Sequence, residues 1–199
     1  MAKTVDYYFS LSSPWTYLGS LEFARLCEDT STTVNFRPSH LKTVFAATGG
    51  LPVPERAPER QAYRLVELER WGAYRQMDIN LHPAHWPFDD TLAVGAMLAA
   101  EKAGADLHAL THSIMRAAWA EDRDMTNPEH LATVLSGLGL DSKALLAVAA
   151  DQSATRKVID ANTETAIAAG VFGAPSYLYE NELFWGQDRL EFLGRALAR

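Results

Sequence analysis

Hydrophobic and polar positions divide the chain into three parts. From Thr4 to Phe9, Val5, Tyr7 and Phe9 share one side of a period-two pattern rich in β-formers, which predicts a strand. Ser13 before Pro14 reads as an N-cap and first helical position, and Tyr17, Leu21 and Ala24 then recur at helical spacing. Thr32 to Arg37 alternates again, with Val34 and Phe36 on one face. Strand, helix, strand in so short a span is a βαβ unit and predicts a parallel pair. Residues 38 to 58 are punctuated by Pro38, Gly49, Gly50, Pro52, Pro54 and Pro58 and read largely as loop.

Helical stripes fill the stretch from about residue 59 to 169. Leu92, Ala96, Ala99 and Ala103 form one, and Leu107, Leu110, Ile114 and Ala117 another. Leu131, Val134, Leu135 and Leu138 follow the cap-and-proline start Asn127-Pro128. Val158, Ala161, Thr165 and Ala168 make a further stripe that ends at Gly170, a C′ position. The tail returns to strands: Ser176 to Tyr179 and Leu183 to Trp185 flank Glu180-Asn181-Glu182 as a short hairpin, and Leu190, Leu193 and Leu197 line a last helix. The order predicts an α/β domain built from both ends of the chain, residues 1–58 and 170–199, with an all-helical insertion over 59–169.

Composition narrows the function classes. The 199 residues carry 18 Lys and Arg against 25 Asp and Glu, a formal charge of −7, and no basic cluster concentrates the cations. A nucleic-acid partner is therefore not expected. Cys27 is the single cysteine and has no partner for an intrachain disulfide. The most apolar stretch, Thr91 to Ala100, is too short to span a bilayer, and Met1 to Asp6 has no apolar signal core, so a cytoplasmic protein without a membrane partner is expected. No metal is expected: Pro83 spoils helical geometry for His82 and His85, and no Glu follows His108 to make a metalloprotease pattern with His112.

Three places could carry chemistry. Ser13-Pro-Trp-Thr16 has the spacing of the C-P-x-C of thioredoxin-like oxidoreductases, with oxygen in place of both sulfurs. Free N–H groups and the positive dipole end at that helix start stabilise an anion, here one supplied by a ligand. Gly173-Ala-Pro-Ser176 puts a proline at the entry of a strand, where a cis Pro175 would leave the Ala174 backbone free to pair with an extended ligand. Gly186-Gln-Asp188 opens the last helix, where a carboxylate can receive an ammonium group. Taken singly, each has a plainer reading: a Ser N-cap, a trans proline in a loop, and Asp188 as a cap.

Read together, the residues resemble a family. Asp6-Tyr-Tyr-Phe-Ser-Leu-Ser-Ser-Pro-Trp-Thr-Tyr-Leu18, Phe36-Arg-Pro38, Arg70-Trp71, Asp122-Arg-Asp124, Asn162-Thr-Glu-Thr165, Gly170-Val-Phe-Gly-Ala-Pro175 and Phe184-Trp-Gly-Gln-Asp-Arg189 are similar to the 2-hydroxychromene-2-carboxylate isomerases. These are DsbA-like bacterial relatives of the kappa-class glutathione transferases. The resemblance runs nearly end to end and implies a thioredoxin-like fold with an all-helical insertion, forming a homodimer. It implies glutathione as cofactor, with Ser13 as the catalytic serine beside its sulfur. Ala174 and Pro175 would hold the cysteinyl part, and Gln187 and Asp188 the γ-glutamyl end. The implied reaction is nucleophilic: the borrowed thiolate adds to the chromene ring, the ring opens, a bond rotates and the thiolate leaves. Its product is trans-o-hydroxybenzylidenepyruvate, an intermediate in the breakdown of naphthalene-like aromatics.

The chain departs from the family pattern twice. Thr48-Gly49-Gly50 stands where Thr-Gly-Asn is common, and Arg60, ahead of Tyr63, replaces a Lys. Two carboxylate-bearing ligands in an acidic protein need local positive charge. Arg37 closes a strand and Arg189 neighbours Asp188, which leaves Arg60 as the expected glutathione or substrate anion contact. Two other readings of the same fold are a kappa-like glutathione transferase or peroxidase acting on another electrophile, and a non-catalytic module that grips extended peptides.

Overall fold

The computed structural model describes residues 3–199. β1 (Thr4–Phe9), α1 (Pro14–Thr30) and β2 (Thr33–Pro38) form the expected unit, with β1 and β2 parallel and Tyr7 opposite Phe36. Ser31, in the left-handed region at φ 52°, ends α1 by donating its N–H to the carbonyls of Cys27 and Glu28. The tail supplies β3 (Ser176–Tyr179) and β4 (Glu182–Trp185). Glu180 and Asn181 join them, both at positive φ (49° and 66°), the geometry whose twist matches a two-residue hairpin. β3 lies antiparallel to β1, with Tyr7 opposite Tyr177, and the sheet order is β2-β1-β3-β4. The first and last parts of the chain therefore share one sheet.

Strand alternation builds two unequal layers. Val5, Tyr7 and Phe9 join the large core with Phe23 of α1 and Tyr177 of β3. The Tyr7 ring stacks 4.7 Å from Phe9 and 5.2 Å from Tyr177. Tyr8 faces the other way and packs with Ala166 and Val171 in a small second cluster.

Between β2 and β3 run α2 (Leu41–Thr48), α3 (Pro58–Arg75), α4 (Thr91–Lys102), α5 (Leu107–Trp119), α6 (Pro128–Gly137), α7 (Ser142–Ala149) and α8 (Gln152–Ala168); α9 (Leu190–Leu197) closes the chain. No helix among the described residues is long and apolar enough to cross a membrane. α1 packs against α5 and α9, while α8 lies against β2, α2 and α4. α8 thus contacts both the sheet and the helical block.

Three details differ from the sequence reading. α2 occupies ground expected to be loop, because Pro38 and Gly49 flank its eight residues rather than interrupt them, and Gly49 at φ 78° caps its end. On α1, Leu21 is half exposed, and Tyr17, Leu18 and Phe23 carry the packing. On α8 the inward face is Thr155, Ile159, Asn162, Thr163 and Ala166, while Val158 is exposed. A buried polar group left unpaired costs about 1–3 kcal/mol, so paired polar residues can face inward. Asn162 Nδ2 donates to the Pro38 carbonyl at 3.2 Å, and Thr163 Oγ1 accepts from the His40 N–H at 2.9 Å. These bonds turn the polar stripe inward and leave the apolar one outside.

Candidate active site

The loop from β1 to α1 is held from outside its own neighbourhood. Asp90, just before α4, accepts from Ser10 Oγ at 2.8 Å and from the Leu11 N–H at 2.9 Å. Asp90 is partly exposed as a residue, yet its carboxyl is withdrawn from water, and this desolvation pushes its pKa up against the two hydrogen bonds. On the other side of the loop, Trp86 Nε1 donates to the Ser12 carbonyl at 2.9 Å. The segment Trp86–Asp90 therefore fixes the path of residues 10–13.

Ser13 emerges from that loop as the N-cap of α1. Its Oγ accepts from the Thr16 N–H at 3.3 Å, and Pro14 occupies the first helical position. The residue is 4% exposed. Among the described residues its hydroxyl proton has no acceptor, so Ser13 can donate outward while capping inward. The Thr16 hydroxyl is buried without a partner.

The Ala174–Pro175 peptide is cis. Because Ser176 pairs with Tyr8, Pro175 lies beside the Phe9 end of β1, where the Ser10–Ser13 loop departs. Among the described residues neither the N–H nor the C=O of Ala174 has a partner, while the Pro175 carbonyl accepts from the Gly186 N–H at 2.9 Å. That bond brings in the short 3-10 turn Gln187–Arg189. At Gly173 an added Cβ would sit 2.5 Å from Trp185 Nε1, so the half-exposed indole would have to shift.

The structure divides the roles in that turn. Gln187 is buried against α1, and its side-chain oxygen accepts from Arg75 Nε at 3.3 Å. Arg75 also donates to the Gln187 backbone carbonyl at 3.1 Å. Its side chain is thus fixed by the protein, with the amide nitrogen left over. Asp188 is exposed, and its Oδ2 accepts from Arg189 at 2.6 Å. Ser13, Ala174, Pro175 and the 187–189 turn accordingly gather at one end of β1 and β3.

Arg60 is exposed on the first turns of α3 and makes no side-chain hydrogen bond or ion pair among the described residues. One helical turn further on, Arg64 lines a cavity of about 310 Å³, together with Leu65, Leu81, Pro83, Trp86 and Trp119. Arg64 is not among the cations expected from the sequence, Arg37, Arg60 and Arg189, because no local motif marks it. Arg37 pairs with Asp6 at 3.1 Å, as a strand-closing residue can. Trp86 and Asp90 were also missed, and the only local signal for them is a Trp and paired acids in a proline-rich loop before a helix. Cys27 is buried, and burial pushes its thiol up to about 12, so it holds no nucleophile. His112 Nδ1 lies 2.8 Å from Ser20 Oγ, and His108 meets the Phe23 and Phe36 rings edge-on. Both are core histidines, and burial lowers the pKa of each.

Sheet order, helix start and cis-proline strand define a thioredoxin-type protein whose active-site helix begins with oxygen rather than sulfur. Residues 4–198 match the DSBA-like thioredoxin domain, and the chain belongs to that family. It is 28% identical over 194 residues to a 2-hydroxychromene-2-carboxylate isomerase of Sphingobium xenophagum, covering 97% of each chain. It is 22% identical over 214 residues to the human glutathione S-transferase kappa 1, covering 99% of this chain and 92% of that one. A solved 2-hydroxychromene-2-carboxylate isomerase structure superposes with a TM-score of 0.84 at 27% identity, over 98% of this chain and 95% of the other.

Proposed function

We propose that the protein is a glutathione-dependent isomerase of the 2-hydroxychromene-2-carboxylate type, acting in aromatic breakdown as a cytoplasmic homodimer. The observation that carries this reading is the Ser13 hydroxyl, buried at a helix N-terminus with its proton uncommitted. Neither Ser13 nor Thr16 can form a disulfide, so the position suits an anion brought by a ligand. The relatives named as isomerases and as a glutathione transferase support both halves of the reading.

The residues fit the tripeptide in order. The open N–H and C=O of Ala174 offer strand-like pairing to its central residue. Asp188 offers a carboxylate to its ammonium group, and Arg60 a cation to its glycyl end. Glutathione supplies a thiolate that can add reversibly to a conjugated double bond. The chain's own part is to hold that thiolate ionised, through the α1 dipole and the Ser13 proton, and to keep the reacting atoms together. Trp86 and Asp90 keep Ser13 in place for this.

The decisive experiment is calorimetry with reduced glutathione followed by turnover of 2-hydroxychromene-2-carboxylate with and without it. Saturable binding and thiol-dependent turnover are expected. Binding with turnover only of a chlorinated aryl electrophile would favour a transferase, and a flat titration would leave a peptide-gripping module.

A further inference from the structure

The turn Gln187–Arg189 joins β4 to α9 and carries Asp188. The Gly186 N–H donates to the Pro175 carbonyl at 2.9 Å, and the Arg189 N–H to the Gly186 carbonyl at 3.1 Å. Gly186 stands at φ 103°, and an added Cβ there would meet Asp188 Oδ1 at 2.5 Å, so the Asp188 carboxylate folds back over the glycine. Arg189 holds Oδ2 at 2.6 Å, and among the described residues Oδ1 has no hydrogen-bond donor. Where that oxygen points is set by the backbone of the turn.

α1 meets this backbone at Gly19, where a side chain has no room, and α3 reaches it through Arg75. Arg75 lies in the last turn of α3, and its side chain is only 16% exposed. Nε donates to Gln187 Oε1 at 3.3 Å, and Nη2 donates to the same oxygen at 3.2 Å and to the Gln187 carbonyl at 3.1 Å. The guanidinium carbon stands 5.5 Å from the centre of the Trp71 ring. Its carboxylate partner, Glu22, is 3.6 Å away, and Arg25 takes both Glu22 oxygens at 2.7 and 3.3 Å. A cation this sheltered normally sits squarely on a carboxylate, because its burial is otherwise costly. Nε and Nη2 instead go to neutral oxygens of one residue. A rigid fork that grips both the side chain and the backbone of Gln187 fixes orientation as well as position.

We propose that Arg75 is a positioning residue: by clamping Gln187 from α3, it sets the angle at which Asp188 meets an ammonium group and so selects ligands that carry one. That the ligand is glutathione rests on the isomerase reading, whereas the clamp does not. Arg75 itself touches no ligand. It acts on the residue next to the one that does.

Calorimetry on the full chain with reduced glutathione and with glutaryl-cysteinylglycine, which lacks only the α-ammonium group, separates placement from general weakening. The wild type should prefer glutathione at least about tenfold, as one charge-assisted hydrogen bond requires. Arg75→Met should erase that preference and leave affinity for the glutaryl peptide as it is. Arg75→Lys keeps the charge without the fork and should retain part of the preference. Asp188→Asn should erase it too, and the double variant should lose no more than either single one, because residues acting through one contact are not additive. No preference in the wild type, equal weakening of both peptides in Arg75→Met, or additive losses would overturn the assignment. Hydrogen exchange on the free protein reads the clamp without a ligand: the Gly186 and Arg189 amides should exchange at least about tenfold faster in Arg75→Met, with the Thr16 amide unchanged. Unaltered exchange at Gly186 and Arg189 would also overturn it. Thermal melts establish that the variants fold, and Arg75→Lys carries both measurements if the Met variant does not. Flat titrations with both peptides beside quickened exchange would uphold the clamp and sink the glutathione reading instead.

Discussion

Ser10 Oγ donates to Asp90 across 80 positions of sequence. This bond and its companion from the Leu11 N–H tie the loop carrying Ser13 to the start of α4. Asp90→Ala orphans both donors and should cost about 1–3 kcal/mol for each one left unpaired. Asp90→Asn retains an acceptor and should cost less.

The same carboxyl predicts a pH dependence. Burial raises its folded-state pKa above the unfolded value. The stabilisation it gives when protonated is therefore fully present below the unfolded pKa and is lost as pH rises through the folded one. Denaturant melts of wild type and Asp90→Asn, taken upward from about pH 4, should show the wild type losing ground relative to the variant. A difference that stays constant with pH would contradict this.

Ser13→Ala tests the serine's outward bond. If the hydroxyl donates to a bound thiolate, its loss should raise the thiol pKa by an amount equivalent to roughly 1.5–3 kcal/mol. Thiolate absorbance of the glutathione complex at neutral pH should fall while the far-ultraviolet circular dichroism stays unchanged. An unaltered thiol titration would reduce Ser13 to a helix cap.

Gly19 is where α1 touches the 187–189 turn. An added Cβ would lie 2.7 Å from Gln187 Cβ and 3.4 Å from its Cα, so the backbone of the turn must move. Gly19→Ala should destabilise by about 1–3 kcal/mol and weaken glutathione binding through the displaced Asp188. Gly137, the exposed last residue of α6 with open space around it, is the control, and its Ala variant should change stability by less than about 0.5 kcal/mol. Matched melting temperatures for the two variants would refute the contact.

Arg60→Ala should raise the half-saturation concentration for glutathione and leave the saturated rate unchanged, since a ground-state ion contact acts on both states alike. Steady-state kinetics with both ligands varied checks it. A fall in the saturated rate at constant half-saturation would exclude this role.

What could be read from the chain alone followed the range of each signal. The βαβ start, the hairpin and the last helix depend on alternation, caps and turns within a few residues, and all three are found. The Ser13 cap and the proline at residue 175 are local in the same sense. The supports of the site are not. Ser12 meets Trp86, Ser10 meets Asp90, and Gln187 meets Arg75, each across more than 70 positions. No periodicity encodes such pairs. α8 misled for another reason: hydrophobic spacing cannot see that Asn162 and Thr163 find buried partners. Arg60 and Arg64 differ by one turn of helix, which is enough to move a cation from the surface into a cavity.

The sheet order has a consequence for how the protein is made. β1 pairs with β2 within its first forty residues, but its other edge is filled only by β3. During synthesis that edge stays bare until Ser176 has left the ribosome, open to pairing with other chains. Ser13 and Pro175 can meet only after this late insertion, so the candidate site is completed late in synthesis. A nascent chain arrested before Ser176 should have no capacity to retain glutathione.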